Sequence, residues 1–181
     1  MTLGIVTRLT CRLAFLAAML VPATTPAIAE VSTEPQLKAA YLINFLKYVE
    51  WPVTSATITL CLFGRNSLGP YLAIHEGRQI GGRELRIRKV SNAEQLLDCQ
   101  ELFIPDTEAA HFASIRRWAD KQPILTVSDA EIFPREGGAI ALVRSDGGLR
   151  FDVNAANLEH AGLRVSPLMI RLARQVIGAP R

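Results

Sequence analysis

Three short apolar runs, TITLCLFG from Thr57, ELFIP from Glu101 and ILTVSD from Ile124, constrain this chain more than any other feature. Each has the length of a strand, and the segments between them have the length and apolar spacing of helices. Strands that alternate with helices in this way build a largely parallel sheet covered on both faces. The order changes near the end, where AIALVRS and LRFDVN are separated by Asp146-Gly147-Gly148, the chemistry of a tight antiparallel hairpin. The expected fold is therefore α/β: a three-layer sandwich with a mostly parallel central sheet, a C-terminal antiparallel hairpin, and helices on both faces.

The flanking elements follow from caps and stops. A helix is expected over residues 36–50, with Leu37, Tyr41, Phe45 and Tyr48 in one stripe and Leu42, Leu46 and Val49 in a neighbouring one. Pro52 disfavours helical backbone at Trp51 and ends it. Asn66 or Ser67 would cap a helix running to about His75, and Ser91 a short one over 92–97. Strands are expected over 57–64, 83–90, 101–105, 124–129, 139–145 and 149–154. A long helix is expected over 107–121 and a short one over 155–161, stopped by Gly162. The last helix would start at Ser166-Pro167 and run to Gly178, with Leu168, Leu172 and Val176 as its apolar stripe and Arg171 and Arg174 off it.

The first 29 residues read differently. Arg8 and Arg12 lead an apolar run from Leu13 to Val21, followed by Ala27-Ile28-Ala29, the layout of a secretory signal peptide. The run is about ten residues long where a membrane span needs roughly 20. Cleavage near Ala29 would leave residues 30–181 as one exported, periplasmic domain without a membrane anchor. It would also take two arginines from the 20 basic residues and no acids, leaving 18 against 17 acidic. A nearly neutral mature chain gives no argument for nucleic-acid binding or for a polybasic membrane patch.

The mature chain keeps two cysteines, Cys61 and Cys99, in a compartment that oxidises thiols. They are either one bridge, closing a loop of 38 residues, or two separate buried thiols. No metal motif is present: His75, His111 and His160 stand apart, and no C-x-x-C occurs. A nucleophile elbow, a phosphate loop and a dinucleotide fingerprint are also missing, and no cofactor is expected. An open α/β sheet binds ligands outside the carboxyl ends of its strands where the strand order reverses. If the strand from Thr57 lies between the next two, that crevice falls between Arg65, Asn66 and Ser67 on one side and Asp106 on the other, with Asp129 nearby. A small anion could bind there; the alternative is that Asn66, Ser67 and Asp129 are turn and cap residues. Asp106 and Asp129 could also form an acid/base pair, but no partner for them is visible and an enzyme is not expected.

The segments QLKAAYLINFLKYVEWP, TITLCLFG, CQELFI, ILTVSDAEIFPREGGAIALV and LRFDVNAANLEHAGLRVSPLMIRLARQV, in this order, resemble the successive blocks of the YfiR family of exported bacterial proteins. The resemblance implies a dimeric periplasmic regulator without chemistry of its own. It would bind the sensor domain of an inner-membrane diguanylate cyclase, hold it inactive, and so lower cyclic-di-GMP and biofilm formation. It also implies that Cys61 and Cys99 form a disulfide. A second pair found in the family has no counterpart, since no cysteine follows Cys99. The candidate surfaces for a partner or second subunit are the first helix, with Lys38, Tyr41, Glu50 and Trp51, and the last, with Arg171 and Arg174. The rival reading is a periplasmic small-ligand sensor feeding a histidine kinase or transporter, with Arg65 and Asn66 at its site.

Overall fold

A computed structural model describes residues 32–65, 67–120 and 122–178. The leader expected over 1–29, its cleavage near Ala29, and Asn66 lie outside the described residues. The chain opens with helix α1, Glu34–Tyr48, followed by a two-residue strand β1, Val49–Glu50. Strand β2, Thr57–Phe63, leads into a short helix α2, Gly69–Ala73. A small hairpin follows, β3 (Gln79–Ile80) and β4 (Arg83–Val90), then a 3-10 turn at Ala93–Leu96 and strand β5, Glu101–Ile104. A second 3-10 stretch, Asp106–His111, runs into helix α3, Phe112–Ala119, and strand β6, Leu125–Ser128. The chain closes with β7 (Ile140–Ser145), β8 (Gly148–Asn154), α4 (Ala155–His160), β9 (Arg164–Val165), α5 (Pro167–Leu172) and β10 (Gln175–Ile177).

Eight strands form one sheet in the order β10-β8-β7-β6-β5-β2-β4-β3, and β1 pairs with β9 in a separate two-stranded ladder. The pairings from β4 through β2, β5 and β6 to β7 are parallel, whereas β3 with β4 and β7 with β8 are antiparallel. The expected mixed α/β sheet is thus present, and β2 does lie between β4 and β5. The turn between β7 and β8 has Asp146 at φ 49° and Gly147 at φ 74°. Two consecutive left-handed residues make the turn whose twist matches the flanking strands, which is why Asp-Gly marks it.

Each face of the sheet has its own core. On one face, Leu42, Phe45 and Leu46 of α1 meet Leu60, Phe103, Leu125 and Leu142, joined by Leu72 of α2 and Met169 of α5. On the other, Phe112 and Ile115 of α3 meet Phe63, Leu102, Ile104 and Phe133 around Cys61 and Cys99. The rings of Tyr41, Phe45 and Phe151 pack at 5.2–5.8 Å between centroids, which fixes the height of α1 over β8.

Several expected elements differ. The first helix ends at Tyr48, because Val49 and Glu50 take extended backbone and pair with Val165 and Arg164. Helix α2 is capped by Leu68 without a side-chain bond, so Ser67 is not its cap. Asn92, not Ser91, caps the following turn, accepting from the Gln95 amide. The long helix expected over 107–121 starts with a 3-10 stretch, kinked at Glu108. The last helix stops at Leu172, and residues 175–177 join the sheet beside β8. Its apolar stripe differs from the expected one as well: Met169 turns inward, while Leu168 and Leu172 stay 42% and 60% exposed.

Candidate functional site

The carboxyl ends of β2, β5 and β6 meet below the first turns of α1, and α1 closes that edge with charge. Lys38 Nζ lies 2.6 Å from Asp129 Oδ2 and 2.7 Å from Glu34 Oε1. Glu34 in turn pairs with Arg144 at the end of β7. The other Asp129 oxygen accepts the backbone N–H of Asp106 at 2.7 Å. One carboxylate thus joins three elements, and the Lys38 and Asp129 side chains are only 15% and 14% exposed.

Beside this clasp is a cavity of about 190 Å³ lined by Lys38, Arg65, Ser67, Phe103, Asp106 and Asp129. The residues expected at the switch point, Asn66 aside, are therefore neighbours in space. Their roles differ, however. Asp129 caps the turn after β5 through a main-chain bond and holds Lys38 with its other oxygen, so both of its carboxylate oxygens are engaged. Arg65 and Ser67 are exposed at the rim. Beyond Arg65 a wider cleft of about 450 Å³ is bordered by Gly64, Lys89, Glu108 and His111. Gly64, at φ 59°, leaves room there for the Glu108 carboxylate: an added Cβ would sit 2.2 Å from Glu108 Oε1. Glu108 accepts from the Arg65 amide and lies 3.1 Å from His111 Nδ1.

Truncating the clasp tests how much it holds. Asp129→Ala should lose about 2 kcal/mol, since it strips the Asp106 amide of its acceptor and leaves the Lys38 ammonium with Glu34 as its remaining ion-pair partner. Urea denaturation checks this; a loss under about 0.5 kcal/mol would mean that the clasp contributes only as an ordinary surface ion pair.

The residues expected on a partner surface fall into two groups. Glu50 and Arg171 are exposed. Lys38, held in the clasp, and Tyr41, Trp51 and Arg174 are engaged within the domain. Tyr41 donates its hydroxyl to Leu149 O at 2.9 Å. Trp51 is 7% exposed, donates its indole N–H to Gln100 O at 3.0 Å, and has the Arg83 guanidinium 5.2 Å over its ring. Arg174 lies after α5 rather than on it, forked onto Asp152 at 2.8 and 2.6 Å and onto Glu131 at 2.8 Å. Those bonds, the Asp152 one first, raise its pKa above the usual arginine range. Sequence reasoning missed Glu34, Arg144, Glu108 and Asp152. Only Glu34 carried a local signal, standing four residues before Lys38 at helical pairing distance.

On the opposite face Cys61 of β2 and Cys99, just before β5, form a disulfide. Arg88 reaches the same corner, donating to the carbonyls of Gln95 and Leu97. Among the described residues no group of three or more His, Cys, Asp or Glu could hold a metal ion, and no helix is long and apolar enough to cross a membrane.

Two solved structures share the architecture. The ABC domain in complex with L-Trp from Streptococcus pneumonia superposes with a TM-score of 0.55 at 12% identity, over 77% of this chain and 60% of that one. A conserved domain protein from Vibrio cholerae O1 biovar eltor matches with a TM-score of 0.55 at 9% identity, over 80% of this chain and 60% of that one. The chain thus spans about three fifths of each, and at these identities the likeness establishes the fold alone. The family description YfiR/HmsC-like (DUF4154) matches residues 35–174, from the first turn of α1 to the arginine after α5. The chain belongs to the YfiR/HmsC-like family.

Proposed function

We propose that this protein is a periplasmic regulator that binds the sensor region of an inner-membrane diguanylate cyclase and represses it, lowering cyclic-di-GMP. The observation that carries the reading is the family match over residues 35–174. A disulfide buried in one core suits an oxidising compartment. Repression by contact needs the protein to bind the inactive cyclase more tightly than the active one. The exposed parts of the two terminal helices are the surfaces offered for this contact or for a homodimer: Leu37 and Tyr48 on α1, Leu168, Arg171 and Leu172 on α5. The reading gives the protein no reaction of its own.

Deleting the gene should raise cellular cyclic-di-GMP, and restoring it should bring the level back. An unchanged level in a strain that carries a cyclase encoded alongside would overturn the proposal. A second reading, a small-ligand sensor feeding a histidine kinase or transporter, is favoured by the cavity at Arg65, Ser67, Asp106 and Asp129. Ligands that bind the folded state raise its melting temperature by mass action. A thermal-shift series with amino acids and organic anions should then show a response that Arg65→Ala abolishes, whereas a flat series removes this reading.

A further inference from the structure

Glu101 opens strand β5 at the centre of the sheet with its side chain fully buried, and neither carboxyl oxygen has a hydrogen-bond partner. Native structures leave very few buried polar groups without partners, so one in the middle of a sheet calls for an explanation. The strand register sets Glu101 beside Leu60 of β2 and Leu125 of β6, on the face shared with Phe103, the buried side of α1 and Trp51. None of those neighbours is polar enough to compensate a charge.

We propose that Glu101 is a proton-operated latch: protonated, it keeps the Val49–Pro52 cover closed over the core, and loss of its proton to bulk water opens that cover. The cover is a solvent-edged part of the wall around the group, with Glu50 and Pro52 exposed. It is held by the burial of Val49 and Trp51, by a two-residue ladder, by the Tyr48 carbonyl accepting from Ser166, by the Arg83 guanidinium over the indole, and by one indole bond to the residue next to Glu101. Past it, Val53 is 73% exposed. Short, solvent-edged ladders of this kind are where local opening costs least.

The charged and titratable groups on the surrounding elements do not supply a counter-ion. Glu34 and Lys38 are bound at the far end of α1 to Arg144 and Asp129. Lys47 bonds Asn44, Tyr41 bonds Leu149 O, and Cys61 is in the disulfide. Arg83 stacks on Trp51, and Glu50 and Arg164 are exposed across the ladder. Burial alone therefore acts on Glu101 and pushes its carboxyl well above the ordinary value of 4.5. The sign follows from linkage. Because the folded-state value is raised, the stabilisation is complete below the ordinary carboxyl value and is lost as pH rises towards the folded one.

The experiment uses the full mature chain carrying Trp118→Phe, so that Trp51 is the only tryptophan, with acrylamide quenching followed from about pH 5 to about pH 9. Quenching of Trp51 should rise several-fold in one reversible step, and Glu101→Gln, which cannot ionise, should flatten the profile. Should Glu101→Gln fail to fold, Glu101→Leu serves, with the same flat profile expected. A step that persists in these variants, or an unchanging Trp51 signal in the parent across the range, would overturn the proposal.

Discussion

Arg174→Ala should destabilise the protein by about 3 kcal/mol, the usual cost of stranding one member of a buried ion pair. The asymmetry of exposure drives this: the Asp152 side chain is 4% exposed, and its partner supplies both of its hydrogen bonds in a fork. Removing the guanidinium leaves a carboxylate inside the sheet, while its other anchor, Glu131, simply returns to water at 70% exposure. The loss should be local first. Residues 175–177 follow Arg174 directly and pair with Asp152, Val153 and Asn154, so β10 should detach and its amides should exchange before the global transition. Arg174→Lys should fall between, because an ammonium keeps the charge but not the planar fork. Replacing both residues by leucine should recover much of the loss, as buried pairs often yield to apolar substitutes. Urea denaturation of the four proteins decides it, and a single-mutant loss below about 1 kcal/mol would show that Asp152 finds water or another donor.

Reducing the Cys61–Cys99 bridge should cost as much or more. Closing 38 residues restricts the unfolded chain by about 4 kcal/mol in the chain-entropy account. The loop so closed contains α2, β3 and β4, the whole outer edge of the sheet beyond β2. Cys61 is fully buried and Cys99 nearly so, hence mild reductant should act slowly on the folded protein and quickly in urea. Thiol labelling of the unreduced protein in denaturant should find no reactive cysteine among the two. The Cys61→Ser, Cys99→Ser double variant should unfold at a lower urea midpoint than the oxidised chain with an increased m-value, because its unfolded state is less compact. Equal midpoints would mean that the bridge tethers elements that β2 already holds through pairing on both sides.

What could be read directly were the features encoded within a few residues. The central strands and the Asp146-Gly147 turn rest on local composition and connection length, whereas the position of β2 at the order reversal entered the sequence reading only as a condition. What escaped depends on partners distant in the chain. Val49 and Glu50 look like the last turn of an amphipathic helix until Arg164 and Val165 arrive beside them. Residues 173–178 continue a helical pattern, and only the fork to Asp152 and the open edge of β8 make 175–177 a strand. Lys38 reads as the polar face of a helix because nothing near it reveals Asp129, 91 positions on. Glu101 is the reverse case: an acid at the head of an apolar run is visible at once, but only its place between Leu60 and Leu125 shows that it has no partner.

The clasp over the carboxyl edge also has a bearing on the order of assembly. Helix α1 is the first element of the described chain to be synthesised, yet its anchors lie far ahead of it: Lys38 waits for Asp129 and Tyr41 for Leu149, 108 positions later. Contacts at such separations form slowly, since loop closure must precede them. During synthesis the apolar side of α1 therefore emerges long before the surface that covers it, and it stays uncovered until β7 and β8 are complete.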